Sequence, residues 1–246
     1  MSETTTERDR QMQLRGFDGR VAFVSGAARG IGKAIAQTLR DLGARVAVGD
    51  LRAPEIDGVL GVELDVTSEA SVDMAFTRVE RELGTVQILV LNAGIFVIEP
   101  FEETTLASWQ RSIDVNLTGA FLCAKRALPA MREGGYGRVV AIGSSAGKTG
   151  GAKSTAAYGA SKAGVMVLAK AIASEYARSG ITSNALAPAL IDTDMIAAMP
   201  DMHDRVPVGR LGTVHDVADT VAFLCSEHAG YITGEVVDVN GGFLID

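Results

Sequence analysis

The sequence predicts an α/β protein in which a parallel β-sheet is covered by helices on both faces. Short runs rich in valine, alanine and leucine alternate with longer amphipathic segments from Arg20 to the end of the chain. Several of these runs, such as 86–91, are almost continuously apolar, which is typical of strands buried on both faces. Glycine supplies 28 of the 246 residues, above its usual share of about 7%. Repeated strand–helix units need such residues at their turns.

Seven of the short runs are predicted strands. They cover residues 21–25, 45–50, 59–65, 87–92, 138–143, 182–186 and 235–239. Four segments of helical length lie between them, over 30–42, 67–83, 106–132 and 156–178. Each ends close to a glycine, the residue that most often terminates a helix. Thr67 is the predicted N-cap of the second helix. Together these elements predict a doubly wound sheet of seven strands.

The chain shows no linker, composition shift or repeat, so we predict one domain over 14–246. Residues 1–13 are polar and lack the apolar core of a secretory signal, and they are predicted to form a flexible tail. The longest uninterrupted apolar stretches are far shorter than the roughly 18 residues of a membrane helix. We therefore expect no membrane span.

Charge and cysteine content narrow the function classes. The formal net charge is −7, which argues against a nucleic-acid partner, since such proteins carry a basic face. Cys123 and Cys225 each lie within an apolar run and are predicted to be buried free thiols in a reducing cytoplasm. No residues have metal-ligand spacing, so no metal site is predicted.

A glycine-rich turn follows the first strand and opens the first helix. Gly26, Gly30 and Gly32 let the backbone approach a pyrophosphate, which the free N–H groups of the helix would face. Asp50 closes the second strand 18 residues after Gly32, where a carboxylate can bind ribose hydroxyls and repel a 2′-phosphate. This arrangement favours NAD(H), while the nearby Arg29 and Arg52 leave NADP(H) possible. Turns also collect glycine for purely structural reasons, and Asp50 can equally be a turn residue.

Four polar residues suggest proton transfer. Tyr158 and Lys162 are four residues apart in a predicted helix and share one face. A neighbouring ammonium favours the phenolate and would lower the pKa of the tyrosine. Ser144 follows the fifth strand, where open parallel sheets place their ligands, and its hydroxyl can donate to a developing oxyanion. Asn116 lies inside a predicted helix, where asparagine has poor propensity. Each residue alone also has an ordinary structural explanation.

Taken in order, these motifs resemble the short-chain dehydrogenase/reductase family in its single-domain form. The resemblance extends from Phe17 to the C-terminus and includes Gly26-x-x-x-Gly30-x-Gly32, Asn92-Ala93-Gly94, Val115-Asn116, Ile142-Gly143-Ser144, Tyr158-x-x-x-Lys162, Pro188 through Thr193, and Tyr231-Ile232-Thr233-Gly234. It implies a seven-stranded Rossmann-type sheet and hydride transfer between C4 of a nicotinamide and a carbinol or carbonyl carbon.

The resemblance also implies roles for individual residues. Tyr158 would be the general acid/base, and Lys162 would hold the nicotinamide ribose and lower the pKa of the phenol. Ser144 would polarise the substrate oxygen, and Asn116 would hold a water that joins Lys162 to a proton relay. The implied cofactor-binding residues are Gly26, Arg29, Gly30, Ile31, Gly32, Asp50, Leu51, Asp65, Val66, Asn92, Ala93, Gly94, Tyr158, Lys162, Pro188, Ile191 and Thr193. Within this set, Asp65 and Val66 would meet the adenine. Asn92 and Gly94 would meet the adenosine ribose region, and Ile191 and Thr193 would hold the carboxamide.

Some positions depart from the family pattern. Ser25 stands where the family usually has threonine, Leu91 replaces an asparagine, and Ala189 replaces a glycine. The spacing to Tyr158 is one residue longer than usual from Ser144, whereas Ser145 has the common spacing. We predict Ser144 as the catalytic serine because Gly147, three residues on, and Arg138, six before, keep the strand register. The loop over 148–155 can absorb the extra residue, and Ser145 stays the alternative.

The predicted function is oxidoreduction of a secondary alcohol or ketone. The alternative implied by the resemblance is a 3-oxoacyl-[acyl-carrier-protein] reductase, a group that usually takes NADPH. A dinucleotide-binding regulator without turnover is a third possibility, disfavoured by the intact acid/base set. The predicted mouth contains Ile95, Phe96, Ala146, Leu190 and a lid over 192–206 with Met195, Met199, Met202 and His203, which suits an apolar substrate. The family resemblance also implies a homotetramer.

Overall fold

A computed structural model of the chain describes residues 14–194 and 203–245. The predicted tail over 1–13, and Met195, Met199 and Met202 of the predicted lid, lie outside the described residues. The strands are β1 (Val21–Ser25), β2 (Arg45–Asp50), β3 (Leu60–Glu63), β4 (Val86–Leu91), β5 (Gly137–Ile142), β6 (Ile181–Pro188) and β7 (Val236–Val239). They form one sheet in the order β3-β2-β1-β4-β5-β6-β7, and every neighbouring pair is parallel. The predicted fold class is confirmed, with strand ends that differ from the predicted ones by no more than two residues.

The helices that connect the strands are α1 (Gly30–Asp41), α2 (Glu69–Leu83), α3 (Leu106–Ile113), α4 (Gly119–Glu133), α5 (Ala146–Thr149), α6 (Ala156–Tyr176) and α7 (Val214–Cys225). The N-cap of α2 is Ser68 and not the predicted Thr67, because Ser68 Oγ accepts the Ser71 N–H at 3.3 Å. The hydroxyl of Thr67 instead donates to Asp65 Oδ1 at 2.7 Å. Short 3₁₀ turns follow α6 and α7, over Ala177–Ser179 and Glu227–Ala229.

The predicted helix over 106–132 is interrupted. A π-helical turn, Asp114–Thr118, separates α3 from α4 and places the buried Asn116 at its centre. Such a turn contains one residue more than an α-helical turn and is frequent at functional sites. The side chain of Asn116 makes hydrogen bonds outside this turn, described below. A helical pattern in the sequence does not reveal this extra residue.

Helix α7 was not among the predicted elements. Its N-terminus carries a capping box, in which Thr213 Oγ1 accepts the Asp216 N–H at 3.1 Å and Asp216 Oδ2 accepts the Thr213 N–H at 2.6 Å. Thr213-x-x-Asp216 followed by an apolar run is a recognised helix start, so the sequence did contain the necessary indication. The helix covers the sheet beside α1 and completes that layer.

Two apolar clusters lie on opposite faces of the sheet. One packs α2, α4 and α6 against it and contains Phe76, Cys123 and Val165. The other packs α1 and α7 and contains Leu39, Val221 and Cys225. Both cysteines are free and buried, and burial raises the pKa of each thiol to about 12. The sheet therefore separates the two thiols. Among the described helices, none combines the length and apolar content that a membrane span requires.

Candidate active site

The predicted site residues come together at the carboxyl ends of the central strands. The glycine-rich turn follows β1, Asn92 to Gly94 follow β4, Ser144 follows β5, and Pro188 ends β6. Strand β1 lies between β2 and β4, so the chain changes direction across the sheet at this point. Open α/β sheets form their ligand crevice at such a switch point.

The glycine-rich turn is packed closely onto the end of β4. Gly26 has a φ of +69°, and a Cβ added there would lie 2.5 Å from Ala93 Cα. A Cβ at Gly32 would lie 2.4 Å from the Gly26 carbonyl oxygen. Both distances are far below van der Waals contact, so a larger residue at either position would push the turn away from β4. At Gly30, φ is +56°, and among the residues that the structure describes a Cβ added there would come near Thr193 Cγ2 alone, at 3.9 Å. The turn is therefore packed tightly against the sheet at Gly26 and Gly32 but not at Gly30.

The N-terminus of α1 is suited to an anion. The N-cap residue Arg29 makes no side-chain cap hydrogen bond, and no acidic residue lies in the first turn. In the part of the chain that the structure describes, no side chain accepts the first N–H groups of this helix, and the helix dipole adds positive potential there. The residues at this terminus fit a dinucleotide pyrophosphate.

Ser25 and Asn92 hold the turn in place. Ser25 Oγ accepts the N–H groups of Asn92 at 3.1 Å and Ala93 at 3.2 Å. The Asn92 amide donates to the carbonyl oxygens of Ser25 at 3.0 Å and Gly26 at 2.6 Å. The serine at position 25 therefore preserves a hydroxyl that links β1 to β4. The Asn92 side chain is expected near the adenosine ribose, but its amide N–H groups are used to hold the glycine turn.

Asp50 also contacts the turn. Its Oδ2 accepts the Ala28 N–H at 3.0 Å, and its Oδ1 accepts the Leu51 N–H at 2.8 Å. Each carboxylate oxygen retains further acceptor capacity, and the negative charge stays at the end of β2. Arg29 forms an ion pair with Asp194 at 3.5 Å, but both side chains are 82% exposed. Such a pair contributes little to stability, although it shows that the segment after β6 runs beside the glycine turn.

Other predicted cofactor residues lie along the same crevice. Asp65 accepts the Thr67 N–H at 2.9 Å, Val66 is buried against Gly119, and Leu51 is exposed after Asp50. Beyond β6, Ile191 is buried and forms a parallel bridge with Gly212. This bridge fixes the segment that carries Thr193.

The acid/base candidates meet at the end of β5. The Ser144 side chain lies near enough to the Tyr158 phenol to lower its pKa as a hydrogen-bond partner, and Ser144 Oγ also accepts the Ala146 N–H at 3.1 Å. The hydrogen bonds of Ser145 instead use its backbone, with its N–H donating to the Pro188 carbonyl oxygen at 3.0 Å. The geometry therefore favours Ser144 as the partner of the phenol. Lys162 Nζ lies 5.9 Å from the Tyr158 ring centroid and donates to the Ile142 carbonyl oxygen at 2.7 Å.

The pKa of Tyr158 corrects one expectation. Burial raises the pKa of the phenol above its usual value of 10, and the hydrogen bond with Ser144 is what opposes this rise. The expected lowering by Lys162 is not found, since this amine donates to Ile142 and is itself buried. Burial lowers the pKa of Lys162 to about 8, because an ammonium loses its hydration there.

Asn116 forms a clamp on the segment after β4. Its Oδ1 accepts the Ile95 N–H at 2.7 Å, and its Nδ2 donates to the Ile95 carbonyl oxygen at 3.0 Å and to Ser161 Oγ at 2.9 Å. A Cβ added at Gly94 would lie 3.2 Å from both Asn116 Oδ1 and Lys162 Nζ. The absence of a side chain at Gly94 therefore leaves space beside both polar groups.

The chain is similar to known proteins over most of its length. A family model described as enoyl-(acyl carrier protein) reductase matches residues 26–244. The 3-oxoacyl-[acyl-carrier-protein] reductase MabA of Mycobacterium tuberculosis is 42% identical over 231 residues, which cover 92% of this chain and 93% of the relative. The chain belongs to the short-chain dehydrogenase/reductase family. The family predicted from the sequence motifs is thus confirmed, and the protein is an oxidoreductase of that family.

Other members of the short-chain dehydrogenase/reductase family are similar to a comparable degree. A cis-4-hydroxycyclohexanecarboxylate dehydrogenase of Sinomonas cyclohexanicum is 41% identical over 244 residues, which cover 92% of this chain and 97% of the relative. The crystal structure of a putative gluconate dehydrogenase from Agrobacterium tumefaciens matches with a TM-score of 0.86 and 34% identity, covering 92% of this chain and 96% of that one. The three names describe different substrates.

Two contacts near the site were not anticipated from the sequence. The rings of Phe96 and Tyr158 meet edge to face, with centroids 4.8 Å apart. Lys148 Nζ forms an ion pair with Asp238 Oδ2 at 2.5 Å, which ties α5 to β7. Phe96 was expected at the mouth from its place after Gly94, but no spacing rule indicated its contact with the tyrosine. The partners of each pair are far apart in the chain, so only the fold brings them together.

Proposed function

We propose that this protein transfers a hydride between NAD(H) and a secondary alcohol or ketone, with Tyr158 as general acid/base. The single observation that carries the proposal is that the side chains of Ser144, Tyr158 and Lys162 lie close together at the carboxyl end of β5. This group lies at the same edge of the sheet as the glycine-rich turn. Chemistry on a carbonyl and binding of a dinucleotide are thereby possible in one crevice.

Each residue has a step in the proposed reaction. Tyr158 donates its phenolic proton to the oxygen of the substrate during reduction and accepts a proton from it during oxidation. Ser144 donates a hydrogen bond to the same oxygen as negative charge develops. Lys162, with a pKa of about 8, is protonated in roughly tenfold excess at pH 7, and its ammonium would hold the nicotinamide ribose.

Residues along the crevice would hold the cofactor. The first turn of α1 would face the pyrophosphate, Asp50 the adenosine ribose, and Ile191 and Thr193 the carboxamide. When bound, the nicotinamide supplies or accepts the hydride at its C4 carbon. Ser25 and Asn92 keep the glycine turn closed on β4, so that the helix N-terminus stays aimed at the crevice.

The Asp50 carboxylate supports a preference for NAD(H). Replacing Asp50 by alanine is expected to lower the ratio of kcat/KM for NAD⁺ to that for NADP⁺ about tenfold or more, or ~1.4 kcal/mol, because repulsion of a 2′-phosphate is lost. The variant also loses the hydrogen bond to Ala28, so the ratio and not either KM alone is the readout. Initial rates with both cofactors measure it.

Asp57→Ala is a matched control, because Asp57 is an exposed acid in the loop after β2. Its cofactor ratio should equal that of the wild type. A wild-type enzyme that uses NADP⁺ better than NAD⁺, or an Asp50→Ala variant with an unchanged ratio, would contradict this role of Asp50.

A 3-oxoacyl-[acyl-carrier-protein] reductase is the second candidate function. It is favoured by the 42% identity to a reductase of that name, although a relative at 41% identity is named for a ring alcohol. Comparing kcat/KM for a 3-oxoacyl thioester with kcat/KM for a cyclic ketone separates the two. A thioester preference supports this candidate, and a ketone preference supports a general alcohol dehydrogenase.

We also propose a homotetramer in the cytoplasm. Large apolar side chains are exposed on both long helices, with Phe121 of α4 exposed to 47% and Val167 of α6 to 63%. Burial of such residues between copies would remove apolar surface from water. Light scattering at micromolar concentration tests the assembly, and the mass of a monomer would exclude it.

A further inference from the structure

Phe96 lies directly on the proposed acid/base. Its ring centroid is 4.8 Å from that of Tyr158, and the two ring planes make an angle of 79°. This edge-to-face geometry directs the positive edge of one ring at the negative face of the other. The arrangement therefore both fills the space beside the tyrosine and favours one orientation of its ring.

The segment that carries Phe96 is fixed at both ends. On one side, Asn116 makes two hydrogen bonds with the backbone of the preceding residue, Ile95, at 2.7 Å and 3.0 Å. On the other side, the Glu99 N–H donates to the Ser154 carbonyl oxygen at 2.8 Å. Phe96 is thus supported by the π-helical turn and by the loop that leads into α6. Both anchors contact elements that also position Tyr158.

We propose that Phe96 is a positioning residue that orients the Tyr158 ring and keeps water from one side of it. This inference rests on the proposed role of Tyr158 as general acid/base. Proton transfer requires the phenol oxygen at a fixed distance from the reacting oxygen, and small displacements are costly. Ser144 restrains the hydroxyl end of the side chain through a hydrogen bond, whereas Phe96 restrains the ring.

The electrostatic surroundings of Tyr158 are consistent with Ser144 restraining its hydroxyl and Phe96 restraining its ring. Burial is the main cause of its raised pKa, and Phe96 contributes to that burial through its ring contact. The ionisable groups of the neighbouring elements are Lys162 on the same helix, Lys148 on α5, which is paired with Asp238, and Glu99 beyond Phe96. Removing the Phe96 ring adds water without adding charge, so the pKa of the phenol should fall.

The first measurement is the pH dependence of kcat for alcohol oxidation. Phe96→Ala is expected to lower kcat on the order of tenfold or more and to move the rising limb of the profile to lower pH. Phe96→Tyr keeps a ring at this position and should restore both values nearly to the wild type. Phe101→Ala is the matched control, because Phe101 is in the same segment but is 80% exposed. It should behave as the wild type.

A second measurement does not depend on turnover. Absorbance near the tyrosinate band, taken as the difference between each protein and the same protein with Tyr158→Phe, reports the ionisation of Tyr158 alone. Its midpoint should lie at lower pH in Phe96→Ala than in the wild type. If Phe96→Ala does not fold, Phe96→Leu replaces it, since leucine fills space but offers no ring edge.

The outcomes separate the two hypotheses. Equal midpoints and equal kcat in Phe96→Ala and the wild type overturn the positioning role, as does a rise in the substrate KM with no shift in either titration. A Tyr158→Phe variant that keeps most of the wild-type turnover overturns the proposed function instead. In that case the absorbance titration still decides whether Phe96 controls the ionisation of the phenol.

Discussion

Replacing Tyr158 by phenylalanine is expected to lower kcat by about 10²- to 10⁴-fold, the usual contribution of a general acid or base. The substitution removes only the hydroxyl, so the ring keeps its edge-to-face contact with Phe96. Ser144 loses the partner of its side-chain hydrogen bond, but its backbone remains held by α5. Initial rates at saturating cofactor, measured through the absorbance of the reduced nicotinamide, give the change in kcat.

Binding and a second tyrosine serve as controls for this result. The Kd for NAD⁺ of Tyr158→Phe, measured by calorimetry, should remain within about threefold of the wild-type value, a difference of less than 1 kcal/mol. Tyr231→Phe should leave kcat unchanged, because Tyr231 is fully exposed. A Tyr158→Phe variant that retained most of its activity would remove the phenol from the mechanism.

Replacing Lys162 by methionine is expected to lower kcat by about 10²- to 10³-fold, the typical cost of removing one preorganised charged donor. The same variant should unfold at a higher temperature than the wild type at pH 7. Burial depresses the pKa of Lys162 from its ordinary 10.5 to about 8, so the folded state disfavours the ammonium by about 3 kcal/mol at pH 7. Methionine removes this cost and loses a hydrogen bond to Ile142 that contributes about 1 kcal/mol.

The lowered pKa of Lys162 also predicts how the stability of the protein depends on pH. Between pH 8 and 10.5 the unfolded chain binds more protons at position 162 than the folded chain, so the free energy of unfolding contributed by this lysine rises with pH. The stability difference between Lys162→Met and the wild type should therefore shrink across that window. Lys170→Met, an exposed lysine on the same helix, should change neither kcat nor the unfolding temperature. A less stable Lys162→Met variant would contradict the buried-ammonium argument.

Elements and site residues that follow from short-range sequence patterns could be predicted from the sequence. The strands were found because apolar runs such as 86–91 leave no polar face, and the glycine turn was found because its spacing suits a strand–helix junction. The pairing of Tyr158 with Lys162 followed from helical periodicity alone. Ser144 was preferred over Ser145 from the strand register and an assumed loop length, and its effect on the pKa of Tyr158 supports that preference.

The remainder depended on contacts between distant parts of the chain. Asn116, in the π-helical turn, bonds to Ile95 and Ser161, and no local sequence pattern predicts these contacts. The raised pKa of Tyr158 reflects burial by other elements, whereas helical spacing suggested only its neighbour Lys162. Helix α7 could have been predicted, because Thr213 and Asp216 have the spacing of a capping box.

Transfer of deuterium is the most direct measurement of hydride transfer by this protein. Wild-type enzyme and NAD⁺ are incubated with secondary alcohols deuterated at the carbinol carbon and, separately, with a deuterated 3-hydroxyacyl thioester. The cofactor is then analysed by mass spectrometry. We expect reduced NADH that carries one deuterium from at least one of these alcohols, and none with Tyr158→Phe over the same period. Wild-type enzyme that binds NAD⁺ but forms no deuterated cofactor with any of them, and none with NADP⁺, would contradict the proposed oxidoreductase.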